Sequence, residues 1–150
     1  MNNTSKIIKS QDFSWPGIEK KAYKTETTNF KGVHRYSLLD GTISALNCHT
    51  RYFEIEAGGY SSLEIHRHPH SVVIVRGSGS VVLQNELKQV SPHDVIYIAP
   101  NTIHQFHADN NQPLGFICIV DRYRDKPIIP DHEYISKNIT SEKVLKKIQK

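Results

Sequence analysis

Between Val33 and Val120 the chain consists almost entirely of short runs rich in Val, Ile, Tyr and Phe, each cut off by Gly, Pro, Asn or Asp. β-Branched and aromatic side chains suit a pleated, half-buried surface, and the breakers supply turns. The runs are His34 to Leu39, Ile43 to Glu56, Ser61 to His66, Val72 to Arg76, Ser80 to Gln84, Lys88 to Val90, Val95 to Ile98, Ile103 to Ala108 and Gly115 to Val120. With no helix of ordinary length among them, a parallel α/β sheet is excluded and an antiparallel sandwich or barrel is predicted. Gly77-Ser78-Gly79 offers positive φ for a tight strand reversal, and Gln84-Asn85-Glu86 predicts a hairpin turn.

The flanks read differently. Residues 1–30 are polar and lack a sustained period, so they form an arm, with Trp15-Pro16-Gly17 as a turn and Trp15 as its anchor on the domain or on a neighbouring subunit. At the other end Ser141 is placed to cap a short helix with Val144, Leu145 and Ile148 as a narrow apolar stripe. The chain is expected to be a single domain over residues 1–150, with its core at about 33–122 and a basic tail at 137–150.

Charge and cysteine usage narrow the partners. The net charge of +4 comes from the tail, where five lysines face Glu142, so residues 1–136 are neutral. That distribution argues against a body wrapped around nucleic acid. No stretch approaches the roughly 18 apolar residues of a membrane span, and the N-terminus lacks the apolar centre of a signal peptide, so a cytoplasmic protein with no membrane partner is expected. Cys48 and Cys118 are read as free thiols, Cys118 as core packing.

His66, His68 and His70 follow one another with single-residue gaps. On a strand, alternate side chains share a face, which would put Glu64, His66, His68 and His70 in one row. Facing inward, each imidazole needs a hydrogen bond or a metal; facing outward, the row is an ordinary polar face.

The segment from Gly59 through His66-Arg67-His68 to Gly77 resembles the first motif of the cupin family: G, five residues, H-x-H, three or four residues, E, six residues, G. The segment His93-Asp94 to Pro100-Asn101-Thr102-Ile103-His104 and on to Ala108 is similar to the second, a G-D, a short strand, P-x-G-x-x-H and a later N. The resemblance covers about residues 33–122. It implies an all-β jelly-roll barrel (a double-stranded β-helix), with His66, His68 and His104 as ligands of a divalent transition metal, Fe, Mn, Zn, Ni or Cu. There are departures. One extra residue separates Gly59 from His66, while His93, Asn101 and Ala108 replace two glycines and an asparagine. Counting back from Gly77, His70 stands where the family has glutamate; counting forward from His68 reaches Val72, which cannot ligate. Either His70 is a fourth ligand or three protein ligands suffice, with Glu64 a replacement carboxylate or a group that orients a ligand. Four neutral imidazoles would leave the ion's charge uncompensated and favour an anionic substrate or hydroxide.

Cupins include dioxygenases, decarboxylases, isomerases and non-catalytic binders, so the resemblance leaves the reaction open. A metal-dependent enzyme acting on a small oxygenated or anionic molecule is the leading expectation, with dioxygenase-type chemistry at Fe(II) first among the sub-classes and Glu64 or Tyr97 as acid or base. The alternatives are a binding or sensory cupin without turnover, and a polar core without metal. Thr102 and Phe106 share parity with His104 and are expected near the cavity, whereas His34, His49, His93, His107 and His132 read as surface or structural. The exposed arm and the edge strands predict a symmetric homodimer.

Overall fold

A computed structural model describes residues 4–24 and 29–150; the remaining parts of the expected arm, 1–3 and 25–28, lie outside the described residues. Nine strands follow in chain order: β1 (Lys20–Ala22), β2 (Lys31–Leu39), β3 (Cys48–Tyr60), β4 (His70–Gly77), β5 (Gly79–Leu83), β6 (Glu86–Val90), β7 (Val95–Ile98), β8 (His104–Ala108) and β9 (Leu114–Asp121). All pair antiparallel in the order β6-β5-β8-β3-β9-β4-β7, with β1 and β2 extending from β3, and the sheet curls into an all-β jelly roll.

Alternation decides what faces inward. In β4, Val72 and Ile74 are buried while Ser71 and Val75 are exposed; their register partners Cys118 and Phe116 on β9 are buried as well. Phe53, Phe106 and Phe116 stack through the middle of this core, with centroids 5.6 and 4.6 Å apart. His70 has the parity of Val72 and so turns toward the interior.

Three expectations need correction. Residues 61–66 are not a strand: the segment is held by the single bridges Glu64↔His104 and Ile65↔Ile128, so the histidine row is not a strand face. Gly77-Ser78-Gly79 is not a hairpin, because β4 pairs with β7 and β9 whereas β5 pairs with β6 and β8. The segment carries the chain across the roll, and Gly77 is required there: its φ is +68°, and a Cβ would meet the Pro113 carbonyl oxygen at 1.6 Å. Part of the arm is ordered as β1, which pairs with β2 from Lys20↔Tyr36 to Ala22↔His34. The β5–β6 hairpin is as expected, with Gln84 at φ 54°.

Trp15 anchors the arm on Tyr36 and Tyr52, at centroid distances of 5.3 and 4.9 Å. The tail forms two short helices, α1 (His132–Asn138), capped by Asp131, and α2 (Glu142–Lys147), capped by Ser141. Ile135, Ile139, Val144 and Ile148 pack with Leu63, Ile65, Val82 and Ile103 in a second core on the outside of the roll, whereas Leu145 stays 40 % exposed. Among the described residues no helix is long and apolar enough to cross a membrane.

Candidate metal centre

The loop of residues 61–69, the start of β4 and the start of β8 bring the four expected histidines together. His66 and His68 stack at 3.7 Å between ring centroids, His66 lies 4.4 Å from His70 and 4.8 Å from His104. Ligand atoms of His66, His70 and His104 all lie within 4.8 Å of one another. His68 falls outside that group of three, yet its Nε2 is 3.0 Å from Nε2 of His70.

Neighbours fix how each ring is presented. His66 Nδ1 donates to the His68 carbonyl at 2.7 Å, and His104 Nδ1 donates to the Thr102 carbonyl at 2.9 Å. His68 Nδ1 donates to Asp125 Oδ1 at 2.8 Å. Each of these bonds leaves Nε2 with its lone pair free, the form in which an imidazole binds metal. Nε2 of His66 is buried and has no hydrogen-bond partner. Burial, reinforced by His104 and His68, lowers the His66 pKa to about 4; burial is also the first cause of the lowered values of His70 and His104. Burial thus favours the neutral form of His66, His70 and His104. Asp125 is held far below the usual carboxylate range by the Arg67 backbone N–H, with His68 adding to the effect.

His68, His70 and His104 open onto a cavity of about 300 Å³ whose wall also includes Glu64, Phe106 and Cys118. Glu64 is buried and accepts from Ser62, Lys24 and, at 3.1 Å, the Tyr23 hydroxyl. Burial alone would raise its pKa; the Lys24 ammonium, His104 and Ser62 outweigh burial and bring it below the ordinary value. Tyr23 moves up, through burial and the adjoining carboxylate. Tyr97, expected as an acid or base, is not among the residues lining this chamber: it sits on the outer face of β7, opposite Ser71 and 67 % exposed. Thr102 contributes its carbonyl rather than its side chain. Asn101 and His93, at φ 62° and 79°, occupy the two turns where the motif places glycine.

Three groups at the site were not foreseen. Asp125 stands 57 residues from His68 in the loop after β9. Cys118, a free thiol, lines the cavity with Sγ 3.7 Å from His70 Nδ1. Arg35, Arg51 and Arg124 share the same wall. Only parity could have pointed to Cys118, two positions from the core residues Phe116 and Val120.

Comparison with known proteins agrees with this geometry. The chain is 40 % identical over 119 residues, 79 % of its length and 75 % of the relative's, to 1-methylthio-D-xylulose 5-phosphate methylsulfurylase of Rhodospirillum rubrum. Its fold is similar to the crystal structure of a cupin-2 domain from Rhodospirillum rubrum (37 % identity, 85 % and 84 % of the two chains, TM-score 0.78). A cupin 2 conserved barrel domain protein from Rhodopseudomonas palustris is also similar (34 % identity, 91 % and 93 %, TM-score 0.81). Residues 51–120 match the pattern described as Cupin domain. With the motifs, the roll and its inward histidines in agreement, the chain belongs to the cupin family.

Proposed function

We propose that this cupin holds a divalent transition metal, Fe, Mn, Zn, Ni or Cu, through His66, His70 and His104, with His68 as a fourth imidazole, and acts as an enzyme on a small oxygenated, anionic substrate. His66 Nε2 carries this reading, being a buried nitrogen without a partner inside a cluster of neutral imidazoles. Leaving such a group unsatisfied costs roughly 1–3 kcal/mol, and a metal in front of it removes that cost. When bound, the ion supplies a Lewis acid that polarises a substrate oxygen. Glu64, low in pKa and in reach of Ser62, Tyr23 and Lys24, is the group placed to accept a proton or to orient a donor.

The relative's name describes an enzyme of a phosphorylated methylthio-sugar, a small oxygenated anion. Its 40 % identity supports turnover here, and supports chemistry on such a sugar phosphate ahead of the dioxygenase-type reaction. A binding cupin without turnover is the second reading, favoured by the engagement of Glu64 with Lys24, Ser62 and Tyr23. We also propose a symmetric homodimer, supported by the exposed Val95 and Tyr97 on edge strand β7 near Ile119.

Elemental analysis of purified wild type and His104→Ala tests the centre. The wild type is expected to carry about one equivalent of metal and the variant far less; equal content overturns the metal reading. Turnover of 1-methylthio-D-xylulose 5-phosphate by the metal-loaded protein supports the enzyme, whereas binding of it without conversion supports the second reading. Light scattering reads the oligomer, and a monomer overturns the dimer.

A further inference from the structure

Arg35 on β2, Arg51 on β3 and Arg124 after β9 converge on the cavity from three separate elements. Among the described residues none of the three is ion-paired with a carboxylate. Arg51 is only 9 % exposed; its Nη2 donates to Cys118 Sγ at 3.3 Å, its guanidinium lies 5.0 Å from the Phe53 ring centroid, and its Nε has no partner. Arg35 Nε is likewise buried without a partner. Arg124 Nη1 donates to the Asp121 carbonyl at 3.1 Å and lies 3.2 Å from His49 Nδ1. Glu64, the one carboxylate that the described residues contribute to the cavity wall, is already engaged by Lys24.

Three like charges gathered in one wall, one of them nearly sealed from water, are costly unless an anion arrives to compensate them. Burial and mutual repulsion lower the pKa of Arg35 and of Arg124, and Arg51 is the largest charge acting on each. Guanidinium forks match a tetrahedral oxyanion, and three of them suit a dianion better than a single carboxylate. Cys118 Sγ links this cluster to the histidines, at 3.3 Å from Arg51 and 3.7 Å from His70. Within about 300 Å³, a ligand held here is small, with its charged end a few atoms from the metal centre.

We propose that Arg35, Arg51 and Arg124 form the subsite for the phosphate group of a phosphate monoester, whose remaining atoms reach the histidine cluster. The assignment deepens the function proposed above and rests on it for the reacting end of the ligand, though not for the anion itself.

Binding to metal-stripped protein separates the two. Inorganic phosphate, ribose 5-phosphate and ribose are titrated by calorimetry at constant ionic strength, with chloride as control, into wild type, Arg51→Met, Arg124→Gln and His104→Ala. Arg124→Gln leaves the strands intact, so it remains informative if Arg51→Met fails to fold. Wild type and His104→Ala are expected to bind both phosphates and not ribose, with ribose 5-phosphate the tighter. Each arginine variant is expected to lose roughly tenfold or more in affinity, the effect of removing a charge-assisted hydrogen bond. Wild-type affinity in the arginine variants, ribose binding as well as ribose 5-phosphate, or no phosphate binding at all overturns the subsite. Inorganic phosphate outcompeting ribose 5-phosphate overturns its assignment to a monoester. A missing metal in the loaded wild type would count against the histidine centre alone.

Discussion

Nε2 of His68 faces Nε2 of His70 at 3.0 Å, and the Asp125 carboxylate on the far side of the His68 ring determines which nitrogen is presented. Because Asp125 also accepts from the backbone N–H groups of Arg67 and His68, at 2.9 and 3.0 Å, a single carboxylate fixes both the ring and its loop.

Asp125→Asn should therefore weaken metal binding without removing a ligand. An amide can turn its NH₂ toward Nδ1 and stabilise the other tautomer, and loss of such a supporting group typically costs about 10–100-fold in affinity. Competition with a chelator measures the change; an affinity equal to that of wild type would mean that His68 is not oriented through this contact.

Glu64→Gln separates a ligand from a proton-handling group. Its carboxylate is occupied by Lys24, Ser62 and Tyr23 rather than by the imidazoles, so metal content should stay the same while turnover falls roughly 100-fold. Elemental analysis beside kcat reads both, and parallel loss of metal would make Glu64 a ligand.

Acid should destabilise the fold partly through His107, which lies outside the proposed ligand set. Burial, with Lys147 assisting, lowers its pKa from 6.5 to about 4, and its Nε2 has no partner. Below pH 6.5 the unfolded chain takes up a proton that the folded chain refuses, so stability falls as pH drops from 6.5 to 4 and levels off below it. The contribution of this one group is at most about 3 kcal/mol. Urea denaturation across that window should show a shallower pH slope for His107→Phe than for wild type; identical slopes would refute the assignment.

The strands were legible because alternation of the kind seen in Val72, Val73 and Ile74 is a local property of the chain, and the same alternation, applied to Tyr97, places it outside. Local pattern could not show that residues 61–69 are held by contacts with Phe106, Asp125 and Ile128 instead of a ladder, so the expected histidine row was misplaced even though its members do meet. Gly77 announces a positive φ, but nothing nearby says whether the chain turns back or crosses the roll. Arg35, Arg51 and Arg124 lie far apart in sequence and carry no motif, and only the closure of the sheet brings them to one chamber, while Asp125, next to Arg124, meets His68 from across the loop. The helix over His132–Asn138 was missed although Asp131 gives it a cap, because with one buried residue it has almost no apolar period.

Gln105, fully buried beside His104 on β8, donates from Nε2 to the carbonyls of Ser61 and Gln149, while its Oε1 accepts from the Gln149 backbone N–H. The lysine-rich tail is thus buckled onto the very strand that delivers one of the proposed metal-binding rings. Trimming the last dozen residues, or fusing a bulky extension close behind Gln149, would slacken that ring's backbone from outside the barrel, so preparations that differ only at this terminus should differ in how firmly they retain metal.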